Sequence, residues 1–108
     1  MEYKIGIIGN KDTIFGLKAF NLEIFPISNL EEGKEAIKKI SQDNFAIIFI
    51  TEDWEEKLEE ELLSLKRATI PAIISLPTHL GSTGYGLKEL KKIVERAIGS
   101  DILFQNKK

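Results

Sequence analysis

Apolar residues in this chain fall into four short runs, and the stretches between them repeat an apolar position every three or four residues. Ile5, Ile7 and Ile8 form the first run. A short apolar run bounded by turn residues predicts a strand covered on both faces. Gly9-Asn10-Lys11-Asp12 ends it, and Thr13 opens a helical pattern for which Asp12 is placed to accept from first-turn amides as the N-cap. That helix, from Asp12 to about Phe20, sets Ile14, Leu17 and Phe20 on one arc. Phe15 lies about 100° from Ile14 on the wheel, off the arc. Gly16 in mid-helix costs about 1 kcal/mol relative to alanine, as expected where another element approaches closely.

After a turn at Asn21-Leu22, Glu23-Ile24-Phe25-Pro26-Ile27 reads as a second strand. Pro26 cannot donate to a ladder, so the strand belongs at an edge. Ser28-Asn29 starts a second helix carrying Leu30, Gly33, Ile37 and Ile40 at helical spacing and ending near residues 41–44. Residues 45–50, FAIIFI, are unbroken apolar sequence and predict the central strand. Thr51-Glu52-Asp53 closes that strand and caps a third helix with Trp54, Leu58, Leu62 and Leu65 on one face. Residues 72–76, AIISL, lie between Pro71 and Pro77 and predict a fourth strand. A glycine-rich loop over 78–86 leads to a fourth helix with Leu87, Leu90, Val94 and Ala97 inside, stopped at Gly99.

Strands and helices alternating at these lengths predict an α/β domain, a parallel sheet with helices on both faces. With the proline strand at an edge, the expected order is 2-1-3-4, a doubly wound, Rossmann-like or receiver-like plan cut to four strands. Residues 1–98 form the expected domain and residues 99–108 a C-terminal tail.

The 108 residues leave room for one domain. Charged residues make up 30% of the chain at a net charge of −2, which implies no surface for nucleic acid. There is no cysteine, excluding disulfides, thiol catalysis and thiolate metal sites. No apolar run approaches the roughly 20 residues that cross a bilayer. Residues 1–4, MEYK, lack the apolar middle of a signal peptide, so a cytoplasmic protein is expected.

A ligand in such a sheet would sit beyond the carboxyl ends of strands 1 and 3. Those ends carry Asn10, Lys11 and Asp12, and Thr51, Glu52 and Asp53. Gly6 and Gly9 do not complete GxGxxG, there is no GxxxxGK[ST], and the three acids would repel a phosphate. The same acids could hold a magnesium ion beside a phosphoacceptor, as in receiver domains, with Asp53 as acceptor. The fifth strand and its lysine, which that chemistry needs, are absent. His79 stands alone, so it makes no metal site, and no GxSxG surrounds Ser75, Ser82 or Thr83. The sequence therefore predicts no catalytic, cofactor or metal residue.

The apolar surplus is more informative. Phe15 is off the buried arc, and Ile102, Leu103 and Phe104 follow the last helix stop. These residues either finish the core or form a surface that another protein covers.

Residues 5–16, IGIIGNKDTIFG, resemble the opening of the F subunit of the A-type and V-type ATPases: an apolar strand, a Gly-Asp-like turn, Asp-Thr, a hydrophobic pair and Gly. Asn10 departs from the Asp frequent there. Residues 70–77, IPAIISLP, resemble that family's fourth strand, and residues 96–103, RAIGSDIL, its ending. The segments stand in the family's order and span essentially the whole chain. The resemblance implies a noncatalytic rotor component of the central stalk, bound to the coiled-coil D subunit, with nucleotide chemistry left to the A and B subunits of the head. It further implies a mobile C-terminal segment reaching toward that head, within residues 87–104. On this expectation Phe15, Phe20 and Leu22 contribute to the contact with the D subunit, and Ile102, Leu103 and Phe104 are the contact points of the tail. No cofactor and no direct membrane insertion are expected. The receiver-like alternative instead expects phosphorylation of Asp53.

Overall fold

The computed structural model describes residues 3–15, 17, 22–68, 70–78 and 84–106. Four strands, β1 (Lys4–Gly9), β2 (Glu23–Pro26), β3 (Phe45–Thr51) and β4 (Ala72–Leu76), pair in parallel in the order β2-β1-β3-β4. This is the expected order. β1 and β3 hold the centre, and the outer strands β2 and β4 are shorter.

Among the described residues, five helices flank the sheet: α1 (Lys11–Ile14), α2 (Leu30–Ser41), α3 (Glu52–Lys57), α4 (Glu59–Lys66) and α5 (Gly84–Asn106). Strand side chains alternate between faces, so neighbouring isoleucines feed two separate cores. Ile8, Ile48 and Ile50 pack with Ile37 and Ile40 of α2 and with Trp54, Leu58, Leu62 and Leu65 of α3–α4. Ile7 and Phe49 point the other way, to Ile14, Leu17, Leu22, Leu90, Val94 and Ile98. Connections that step one way along the order lie on the first face, and the connection that steps back lies on the second, as right-handed crossovers require. α1 does not cover its face alone, because α5 returns to it.

Several local expectations are corrected. The described part of the first helix is one turn, followed by Phe15 and Leu17 in tighter 3-10 conformation. Gly16, Phe20 and the rest of the expected helix lie outside the described residues. Asn10, not Asp12, is the N-cap: its carbonyl accepts from Thr13 and Ile14 N–H at 3.0 and 3.0 Å, while its side chain does not cap. The third helix is split at Leu58 (φ −107°, ψ 20°), yet Trp54, Leu58, Leu62 and Leu65 remain buried together. Leu30 is 45% exposed. It sits about 70° from the centre of the buried stripe formed by Gly33, Ala36, Ile37 and Ile40, at 3.6 residues per turn. α5 runs on past Gly99, which breaks it with φ 82° and ψ 154°. Only glycine tolerates that backbone readily, so Gly99 divides the helix where a stop was expected.

α2 is the best-finished helix. Asn29 Oδ1 accepts from Glu32 N–H at 2.9 Å, and Glu32 Oε1 accepts from Ser28 N–H and Oγ–H at 2.7 and 2.8 Å. This reciprocal pairing satisfies donors that a helix start leaves open. Gly33 then lets α2 close on its neighbour: a Cβ there would lie 2.8 Å from Leu58 Cδ1.

Candidate functional site

The carboxyl ends of the strands form a rim where the β1–α1 and β3–α3 connections meet Thr78, just after β4. Close approach sets its geometry. A Cβ on Gly9 would fall 2.8 Å from Ile14 Cγ2 and 3.1 Å from Thr51 Cγ2, so the first turn seats directly on the end of β3. Thr51 is 1% exposed, and its hydroxyl has no hydrogen-bond partner among the described residues.

Long-range bonds tie the rim together. Trp54 Nε1–H donates to Asn10 Oδ1 at 2.8 Å, which explains why Asn10 has no side chain left to cap α1. Thr78 Oγ1 donates to Asp53 Oδ1 at 3.1 Å and accepts from Asp53 N–H at 3.1 Å, while Thr78 N–H donates to Glu52 Oε1 at 3.3 Å. Both carboxylates of the β3–α3 turn are thus anchored to the residue that leaves β4. Lys57 Nζ sits 4.8 Å from the Trp54 ring centre, and Lys11 Nζ 5.7 Å from that of Phe15. These distances suit cation–π attraction.

A depression of about 840 Å³ opens beside the rim, lined by Asn10, Lys11, Asp12, Thr13, Pro26, Ile27, Ser28, Glu32 and Thr78. It is not prepared for an anion. The first-turn donors of Ser28 and Glu32 are already taken, and Asp12 and Glu32 add negative charge. The Ser28 backbone N–H, then the Ser28 hydroxyl, hold the Glu32 carboxyl below its ordinary pKa. Among the described residues no three His, Asp or Glu side chains come together as metal ligands do. Asp53, the acceptor of the receiver-like alternative, has its carboxylate engaged by Thr78.

Of the expected partner residues, Phe15 and Leu22 have described side chains. Phe15 is 43% exposed, while Ile14 and Leu17 beside it are fully buried, which agrees with its position off the arc. Leu22 is 8% exposed and packs into the α1–α5 core, so its surface is used inside the domain. Phe20 and His79 lie outside the described residues, as do Ser82 and Thr83. Ile102, Leu103 and Phe104 lie on the helical segment beyond Gly99, and their side chains are outside the described part. Ser75 is exposed on β4 and donates to Glu55. Thr78 and the Trp54–Asn10 pair were not singled out by sequence. Their partners lie 25 and 44 positions away, and only the position of Thr78 just after β4 hinted at the rim.

This is a doubly wound α/β domain whose rim carboxylates serve the fold. Its sequence matches the family described as ATP synthase (F/14-kDa) subunit over residues 5–94. It is 32% identical to the F subunit of the V-type ATP synthase of Clostridium botulinum over 103 residues, covering 95% of this chain and 100% of that one. Identity to the F subunit of the V-type ATP synthase of Fusobacterium nucleatum is 36% over 103 residues, covering 95% and 98%. The F subunit of the A-type ATP synthase of Methanothermobacter thermautotrophicus is 26% identical over 105 residues, covering 95% and 99%. The chain belongs to the family of ATP synthase F subunits.

Proposed function

We propose that this chain is a noncatalytic rotor component of the central stalk of a V-type or A-type ATP synthase. In this role it binds the coiled-coil D subunit and helps couple ATP synthesis or hydrolysis in the head to ion transport. The observation that carries the reading is the near full-length match to the F subunits of such complexes. The chemistry of the rim supports it: its carboxylates hold neighbouring turns together, as a part that transmits torque through packed surfaces needs. No helix among the described residues is long and apolar enough to cross a membrane. On this reading the protein is cytoplasmic and joins the membrane complex through its partners.

Residues 1–98 form the docking domain, with Phe15 at the contact with the D subunit. Residues 99–108 form an arm, articulated at Gly99, that carries Ile102, Leu103 and Phe104 toward the A and B subunits. Co-expression with the D subunit of the same organism, followed by native mass spectrometry, tests the central part. A one-to-one complex is expected. Two proteins that remain separate at micromolar concentration would contradict it.

A further inference from the structure

The two edges of the sheet are protected to very different degrees. β2 has four residues, ends in Pro26, which has no N–H to offer, and starts at Glu23, whose carboxylate is 3.6 Å from Lys4 Nζ. Short length, proline and charge are how natural sheets keep other strands off an edge. β4 has neither proline nor charge. Its sequence, AIISL, pairs with β3 without a bulge. Ala72 and Ser75 are exposed, and Ile73 and Ile74 are half-buried, the first against the α2–α4 core and the second against the α1–α5 core. Among the described residues, no hydrogen bond reaches the backbone of β4 on the side away from β3.

A row of open N–H and C=O groups is best matched by another extended backbone. The geometry points to β4 as the site where an extended segment of another protein of the assembled complex adds a fifth strand. That segment has aliphatic side chains to cover Ile73 on one face and Ile74 on the other. It carries Lys or Arg on the α3–α4 side, where residues 52–66 hold seven carboxylates against two lysines. Glu55 pairs with Lys66 at 3.6 Å and Glu61 with Lys34 at 3.9 Å, but Glu56, Glu59 and Glu60 make no ion pair with a described residue. The same charge argues against a second copy of this chain. Antiparallel pairing of β4 with itself would relate the copies by a two-fold axis normal to the sheet. Both acidic α3–α4 layers would then lie on the same face of the joined sheet, flanking the seam, where like charges repel.

This inference rests on the proposed membership in the rotor, and hydrogen exchange separates the two. Exchange is followed for the peptide covering residues 70–78 in the isolated chain and in the assembled ATP synthase, with residues 22–27 as the reference edge. Assembly is expected to slow outward-facing β4 amides at least tenfold and leave β2 unchanged. Ala72→Lys, at an exposed position, is expected to keep the melting temperature and weaken incorporation at least tenfold. If the chain assembles and β4 exchanges as before, the strand-addition proposal is wrong and the rotor reading stands. A chain that does not assemble defeats both. A dimer of the isolated chain that protects β4 and is broken by Ala72→Lys makes the occupant a second copy and overturns the proposal.

Discussion

On the α2–α4 face, the helices of two consecutive crossovers, α2 before β3 and α3–α4 after it, lie together, and Ile37, Ile40, Trp54, Leu58, Leu62 and Leu65 close over β1 and β3. The α1–α5 face is finished differently: α1 supplies one described turn, and Leu90, Val94 and Ile98 of α5 arrive from the end of the chain. α5 then continues beyond the last of these residues, through the break at Gly99. One face is closed by its own crossovers. The other depends on a helix whose far end extends past the core it serves. Stability and proposed partner contact are thereby separated within a small domain.

The largest effects should come from the closed face. Leu58 is fully buried beneath Gly33, so Leu58→Ala should cost about 2–5 kcal/mol. Thermal unfolding would show a drop of roughly 10 °C or more for a domain of this size. On the other face, Leu90→Ala should cost about 2–4 kcal/mol, since Leu90 is also fully buried. A stop codon after Gly99 should by contrast leave the melting temperature within about 2 °C, about half a kcal/mol or less. If Leu90→Ala were neutral, or the truncation unfolded the protein, the division of α5 into a core part and an arm would be lost.

Thr51 sharpens the contrast from within. Its side chain abuts Gly9 on the α1 side, buried with no partner for its hydroxyl among the described residues. Thr51→Val removes that unpaired group at similar shape and should raise stability by up to about 1 kcal/mol, measured by urea unfolding. Acid sensitivity should be smaller still, and part of it lies at the start of α2. The Glu32 pKa is lowered by its bonds to Ser28. A lowered pKa gives stability that is present above the unfolded value and lost as pH falls through the folded one. Glu32→Gln should therefore flatten the decline in stability below the ordinary carboxylate range, and leave the curve above it nearly parallel to the parent.

The sheet was legible in the sequence because its signals are local. Pro26 put β2 at an edge, Pro71 and Pro77 framed β4, and the uninterrupted 45–50 run marked the centre. What was illegible depended on distant residues. Asp12 looked like a cap because nothing nearby showed that Asn10 would start the helix and give its side chain to Trp54, 44 positions on. Asp53 was open to a receiver-like reading as phosphoacceptor because Thr78, which engages its carboxylate, arrives only after a whole further α/β unit. Phe15 was readable as off the buried arc from spacing alone, whereas the burial of Leu22 required the position of α5.

The most direct test uses two exposed apolar residues on opposite faces. Phe15 is 43% exposed beside α1, and Leu30 is 45% exposed at the start of α2. Phe15→Asp and Leu30→Asp should each shift melting little, because neither side chain is buried. Titration of each variant with the D subunit should show at least a tenfold loss of affinity for Phe15→Asp and less than a twofold change for Leu30→Asp. Equal losses, a loss with Leu30→Asp alone, or collapse of folding with Phe15→Asp would contradict the placement of the partner contact on the α1 side.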